Sequence, residues 1–222
     1  MYIRITSRCN MECEHCGFSC TAEGQDMTMS VFKKACALAE EYGSDITLGG
    51  GEPTLHKQLF EMIGLTLAAT ADCEIKPLIV TNGKKTKEAL TLARMAKAGI
   101  LYVELSQDDY HDAIDDRVVE AFTKPRSNFR GENENDCRGI RDVKDRIMAQ
   151  GRAHNWGTQE GCICDDMVIE PDGTIYACGC REEQFGTVQH PQIPDEYYER
   201  DEKCTLVQNQ AKEWEEDIEY GT

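Results

Sequence analysis

Residues 2–16 read YIRITSRCNMECEHC. YIRIT alternates apolar and polar side chains and reads as a short strand. It runs straight into CNMECEHC, where Cys9, Cys13 and Cys16 follow a C-x3-C-x2-C spacing. Three thiolates this close, on a loop at a strand end, can wrap one face of a cubane iron–sulfur cluster and leave one iron without a protein ligand. An incomplete protein shell points to chemistry rather than support, as at open catalytic zinc sites. Spacing alone leaves zinc open, because Cys20 can complete a four-thiolate site and His15 offers another ligand.

Outward from this loop, strand and helix alternate about every thirty residues, the pattern of βα units around a parallel sheet. MSVFKKACALAEEY (residues 29–42) places apolar side chains at helical spacing, with Ser30 as the expected N-cap and Gly43 as the stop. DITLGG (45–50) is the second strand and Leu59 to Thr70 the second helix; KPLIVTNG (76–83) is a buried strand ending in a turn. KEALTLARMAKA (87–98) is a helix closed by Gly99, and ILYVELS (100–106) the fourth strand. Catalytic groups of such folds gather at the carboxyl ends of the strands. Here those ends read TSRCN, LGGGEP, VTNG and LSQDD, so every chemically suggestive stretch falls on one rim.

Beyond Asp116 the periodicity weakens. FTKPRSNFRGENENDCRG (122–139) reads as a long loop, and RGIRDVKDRIMAQGRAH (138–154) as one more strand with its flank. In MVIEPDGTIYACGC (167–180) two β-favouring runs flank Pro171-Asp172-Gly173, a hairpin signal. The last thirty residues carry one cysteine and an acidic, helix-patterned tail.

Composition narrows the function. The 222 residues fit one domain or one domain with an appendage. There are 41 acidic against 24 basic residues, a net charge of −17, which disfavours a nucleic acid partner, since phosphates demand a basic face. No apolar run is long enough to span a membrane, and MYIRITSRCN lacks a signal peptide's apolar core. The expected compartment is the cytoplasm. Twelve cysteines there point to metal rather than disulfides. Cys36 and Cys73, standing apart, are expected to be small buried hydrophobes.

The cysteine loop resembles the radical S-adenosylmethionine (radical SAM) superfamily, whose hallmark is this spacing after the first strand of a partial (βα) barrel. The resemblance implies a 4Fe–4S cluster on Cys9, Cys13 and Cys16. It also implies SAM bound at the free iron and cleaved reductively to a 5′-deoxyadenosyl radical that abstracts hydrogen from a substrate. The residue before the third cysteine, usually aromatic and packed near the adenine, is His15. LGGGEP resembles the stretch that holds the SAM amino group, which maps to Gly50, Gly51 and Glu52; glycines let backbone carbonyls approach, and a carboxylate pairs with an ammonium. VTNG resembles the family's third strand ending. LSQDDYHD resembles the fourth, nominating Ser106 and Asp108 as SAM contacts, with local capping as the plain alternative. GRA (151–153) resembles a later strand ending, with Arg152 paired to the SAM carboxylate.

Late in the chain, Cys162, ten residues, Gly173, four residues and Cys178 resemble the opening of the auxiliary-cluster appendage called SPASM or twitch. Cys162, Cys178, Cys180 and Cys204 supply four ligands for a second iron–sulfur cluster, with Cys164 spare; zinc or free thiols are the alternatives, and the family's dense further cysteines are lacking. The expected architecture is thus α/β, a truncated barrel over residues 1–155 and a Cys-rich hairpin segment over 156–222. The expected substrate is a peptide or protein, with a flavodoxin or ferredoxin as electron donor. Radical modification or isomerisation of a nucleotide or hypermodified nucleic acid base is the second enzymatic reading, and a zinc-stabilised interaction module the non-enzymatic one.

Overall fold

A computed structural model of the chain describes residues 1–73, 75–123, 135–141, 150–155, 166–195 and 197. One sheet organises them. Its first strands are β1 (Tyr2–Thr6), β2 (Thr47–Gly50), β3 (Leu78–Thr81), β4 (Tyr102–Ser106) and β5 (Arg138–Arg141). They are followed by β6 (Val168–Ile169), β7 (Thr174–Tyr176), β8 (Gln184–Thr187) and β9 (His190–Pro191). The order is β5-β4-β3-β2-β1-β6-β7-β8-β9. Pairing is parallel from β5 through β1 to β6 and antiparallel from β6 to β9. The two ends do not pair, so the barrel is open, as a partial barrel requires.

Helices α1 (Met29–Glu41), α2 (Leu59–Ala69), α3 (Thr86–Lys97) and α4 (Asp116–Phe122) follow the first four strands. Period-two alternation sends Ile3, Ile5, Leu48, Ile79, Val103 and Leu105 into one core with Phe32, Met62 and Leu92 from the helices, all 2% exposed or less. Gly43 and Gly99 close α1 and α3 with positive φ of 57° and 72°, letting the next N–H groups reach back to the last helical carbonyls.

Several expectations change. The N-cap of α1 is Thr28, whose hydroxyl accepts from the Val31 N–H, because Thr28 has the extended backbone a cap needs and Ser30 is already helical. α4 was not expected; Asp115 caps it through the Arg117 N–H. The expected loop 122–139 begins at the last residue of α4 and ends inside β5, with 124–134 outside the described residues. GRA lies in a 3-10 turn, Gly151–Asn155, and the stretch 142–149 before it, where the expected strand would run, is outside the described residues. The hairpin at Pro171-Asp172-Gly173 forms as β6–β7, with Gly173 at φ 90° donating to the Glu170 carbonyl. It is not set apart from the sheet, since β6 pairs directly with β1. Cys36 is buried, whereas Cys73 is half-buried. The acidic tail lies outside the described residues.

Candidate active site

Because β1 to β4 are parallel and adjacent, their carboxyl ends meet. The cysteine loop leaves β1 and is closed by its own return: the Cys9 N–H donates to the Thr21 carbonyl, and Ser7 to that of Gln25. Arg8 forks onto Asp26 at 2.7 and 2.9 Å. The glycine-rich end of β2 lies directly on this loop. Gly51 N–H donates to the Thr6 carbonyl and Glu52 N–H to that of Arg8, both at 2.8 Å. A Cβ on Gly50 would stand 2.3 Å from the Thr6 carbonyl oxygen, and one on Gly51 2.2 Å from that of Arg8. Glycine is required here for close backbone approach.

Cys9, Cys13, Cys16, Gly51, Glu52 and Ser106 face one cavity of about 120 Å³, with His15 and Gly50 also on its wall. A larger cavity of about 370 Å³ lies near the amino ends of the strands, at Thr47, Leu78 and Tyr102, and has none of the loop cysteines. Glu52 is 1% exposed and heavily bonded. Its Oε1 accepts from the Thr54 N–H and hydroxyl and the Thr81 hydroxyl, and its Oε2 from the Asn82 N–H at 2.7 Å. Each carboxylate oxygen has about two acceptor sites; Oε1 is shared among three donors and Oε2 takes one, so the second site on Oε2 is the one left. Burial pushes the Glu52 carboxyl upward, and these bonds oppose it.

The thiols are unequal. Burial raises Cys9, and pushes Cys13 up to about 11. Cys16 is held well below the usual thiol range by a hydrogen bond from the Cys20 thiol, and Cys20 is raised in turn. Cys20 lines the same cavity and also accepts from Arg4, whose Nη2 donates to its sulfur at 3.3 Å. A zinc thiolate shell would need sulfurs about 3.8 Å apart, as Zn–S bonds of 2.3 Å at tetrahedral angles dictate. Among the described residues no three cysteine sulfurs lie within even 4.8 Å of one another. Thiolates on separate irons of a cubane are spaced more widely than that, so the arrangement of the described cysteines is not that of a closed zinc site.

The one such group of three ligand atoms within 4.8 Å is His15, Asp108 and His111. Asp108 is engaged locally: its Oδ1 accepts from the Tyr110 N–H at 2.9 Å and meets His111 Nδ1 at 2.6 Å. The His15 ring packs against Tyr110 and His111, centroids 5.4 and 4.7 Å away, and burial lowers its pKa. Arg152 binds the cysteine loop itself. Its Nε and Nη1 donate to the carbonyls of Cys13 and Cys20, both at 2.8 Å, and its backbone N–H to that of Cys16. Its buried Nη2 has no hydrogen-bond partner among the described residues.

Of the second cysteine group, Cys178 is buried and Cys180 half-buried, in the turn after β7, while Cys162, Cys164 and Cys204 lie outside the described residues. That turn adjoins the first loop: Arg181 lies 5.2 Å over the Phe18 ring, and Gln150 Nε2 donates to the Cys180 carbonyl. Sequence reasoning missed Arg4. It is 2% exposed, forks onto Glu170, and lies 4.0 Å over the Phe18 ring. A charged residue inside a five-residue strand beside a cysteine loop was the available signal.

An open, mainly parallel α/β sheet with three cysteines at the end of its first strand defines a partial-barrel iron–sulfur architecture. The radical SAM superfamily model matches residues 3–148, and the chain belongs to that enzyme superfamily. Comparison with curated protein sequences gives no match. Among solved structures, BtrN in complex with AdoMet and 2-DOIA is similar at 18% identity and TM-score 0.65, over 93% of this chain and 84% of that one. anSMEcpe with bound AdoMet and Cp18Cys peptide is similar at 17% and 0.53, over 90% and 79%. SuiB of Streptococcus suis bound to S-adenosylmethionine is similar at 13% and 0.50, over 93% and 67%. At such identities the likeness is one of fold. Among the described residues no helix is long and apolar enough to cross a membrane.

Proposed function

We propose that the chain holds a 4Fe–4S cluster on Cys9, Cys13 and Cys16 and binds SAM beside it, in order to abstract hydrogen from a peptide or protein. The observation that carries this is the placing of the three thiols on one cavity at the carboxyl ends of the strands, beside Gly51 and Glu52, where among the described residues no three cysteine sulfurs close a zinc shell. When bound, the cluster and SAM supply reductive cleavage to methionine and a 5′-deoxyadenosyl radical. The chain's own residues hold and orient. Gly50 and Gly51 offer backbone carbonyls and Glu52 its remaining Oε2 site to the SAM amino group. Ser106 and Asp108 serve its polar groups, His15 packs near the adenine, and the Arg152 Nη2 left without a partner takes its carboxylate.

Support for a peptide substrate is modest and specific: a neighbour of the same fold binds one, and the net charge of −17 argues against a nucleic acid or nucleotide polymer. Another neighbour holds 2-DOIA, so a small molecule is the second reading of the substrate. Cys178 and Cys180, with Cys162 and Cys204, are proposed to hold a second iron–sulfur cluster in a segment running from about residue 156, beyond the barrel of 1–155. A flavodoxin or ferredoxin supplies the electron, in the cytoplasm.

Anaerobic reconstitution followed by iron and sulfide counting, with 5′-deoxyadenosine measured under dithionite, tests the proposal. Four irons per chain denote one cluster and eight denote two. Replacing Cys9, Cys13 and Cys16 by alanine should abolish SAM cleavage. Cleavage that survives in the triple variant, or a chain that holds zinc alone, overturns the assignment.

A further inference from the structure

VTNG has no role in the assignments so far, yet its asparagine touches both halves of the site. Asn82 follows β3 and is 7% exposed. Its backbone N–H donates to Glu52 Oε2 at 2.7 Å. Its side-chain Oδ1 accepts from the Lys84 N–H at 3.0 Å. That acceptor bond fixes which end of the amide is which, so Nδ2 points the other way. Nδ2 donates to Asn10 Oδ1 at 2.9 Å and to the Cys9 sulfur at 3.7 Å. Both amide hydrogens are therefore used. Lys84 reinforces the arrangement, donating through Nζ to the Asn10 carbonyl at 2.9 Å.

We infer that Asn82 is a positioning residue that sets the reduction potential of the cluster, by donating an N–H hydrogen bond to the ligand sulfur of Cys9 from outside the cysteine loop. This rests on the proposed cluster at Cys9, Cys13 and Cys16. An electron added to an iron–sulfur cluster increases the negative charge on its thiolate sulfurs, so an N–H donor aimed at one of them stabilises the reduced form more than the oxidised form. The same side chain spans 73 residues to reach Cys9, and its backbone spans 30 to reach Glu52. A single turn thus links the Cys9 sulfur to the position proposed for the SAM amine.

The test uses the full chain, reconstituted without oxygen, as wild type, Asn82→Asp and Asn82→Leu. Asn82→Asp keeps the acceptor for Lys84 and the shape of the side chain but has no N–H to give; both variants keep the backbone bond to Glu52. Iron and sulfide per chain are counted first, then the cluster is titrated against potential by EPR in the absence of SAM. Iron content near wild type is expected in both variants. At a fixed applied potential the ratio of reduced to oxidised cluster should fall about three- to tenfold, the size of one ordinary hydrogen bond lost. An unchanged midpoint in both variants overturns the inference. Loss of iron from both also overturns it, because the contact would then hold the loop together rather than tune it. A wild-type chain that takes up no iron instead sinks the cluster assignment beneath it.

Discussion

Arg152 Nε donates to the Cys13 carbonyl at 2.8 Å across 139 residues of sequence. With Nη1 on the Cys20 carbonyl, the planar guanidinium ties the middle of the loop to its returning arm. Arg152→Ala should lower the unfolding free energy by about 2–4 kcal/mol, two charge-assisted bonds being lost. Arg152→Lys should recover less than half, because one ammonium cannot bridge both carbonyls. Chemical denaturation with iron counting reads both effects; full recovery by lysine would show that the fork is irrelevant.

Gly51 and Gly64 make an informative pair. A Cβ on Gly51 meets the Arg8 carbonyl at 2.2 Å, whereas one on Gly64, inside α2, meets nothing within 4 Å. Gly51→Ala should cost about 1–3 kcal/mol by forcing β2 off the cysteine loop. Gly64→Ala should instead stabilise by about 0.5–1 kcal/mol, through helix propensity. Thermal unfolding of the two variants should move in opposite directions.

Arg4 and Glu170 are a buried ion pair, with side chains 2% and 12% exposed. Glu170→Ala should cost about 3–5 kcal/mol, because it leaves the guanidinium buried with its charge uncompensated. Replacing both, Arg4→Met with Glu170→Leu, should restore most of that loss. A double variant no more stable than the single one would show that the charges themselves are required.

The start of α1 separates two readings of one sequence. Thr28→Ala should cost about 1 kcal/mol and Ser30→Ala almost nothing, since only the Thr28 hydroxyl holds a helix N–H. Equal losses in urea denaturation would contradict the observed cap.

Cys36, packed in the core, has its thiol pushed up to about 12 by burial. A folded-state value raised above the unfolded one means that the folded chain holds the proton more tightly. The associated stability is complete below the unfolded thiol value, ~8.5, and is lost as pH rises from there toward 12. Between pH 8 and 11 the wild type should therefore lose more stability than Cys36→Ala, as denaturation at each pH would record.

The rim was legible because each strand ends in residues whose chemistry is local to the sequence: three cysteines at fixed spacing, a run of glycines before Glu52, a turn at Asn82. The helices were legible from their periodicity and from Gly43 and Gly99. What escaped was non-local. Arg4 in YIRIT reads as solvent-facing until the open sheet's inner surface proves polar, with Glu170 waiting 166 residues away. The pairing of β6 with β1 leaves no mark in either segment. Arg152 was expected at a strand end, and only the folded chain shows it on the loop's own carbonyls. Thr28 lost to Ser30 on the page because a shift of two residues at a helix start is invisible to periodicity.

β1 has one neighbour, β2, that follows soon after it, and another, β6, that arrives only at Val168. During synthesis the cysteine loop therefore emerges long before its second flanking strand exists, and contacts closed over such distances form slowly. A chain halted before residue 168 would present its thiols on a half-built platform, exposed to oxidants and stray ions, so insertion of the proposed cluster belongs after β6 has joined β1.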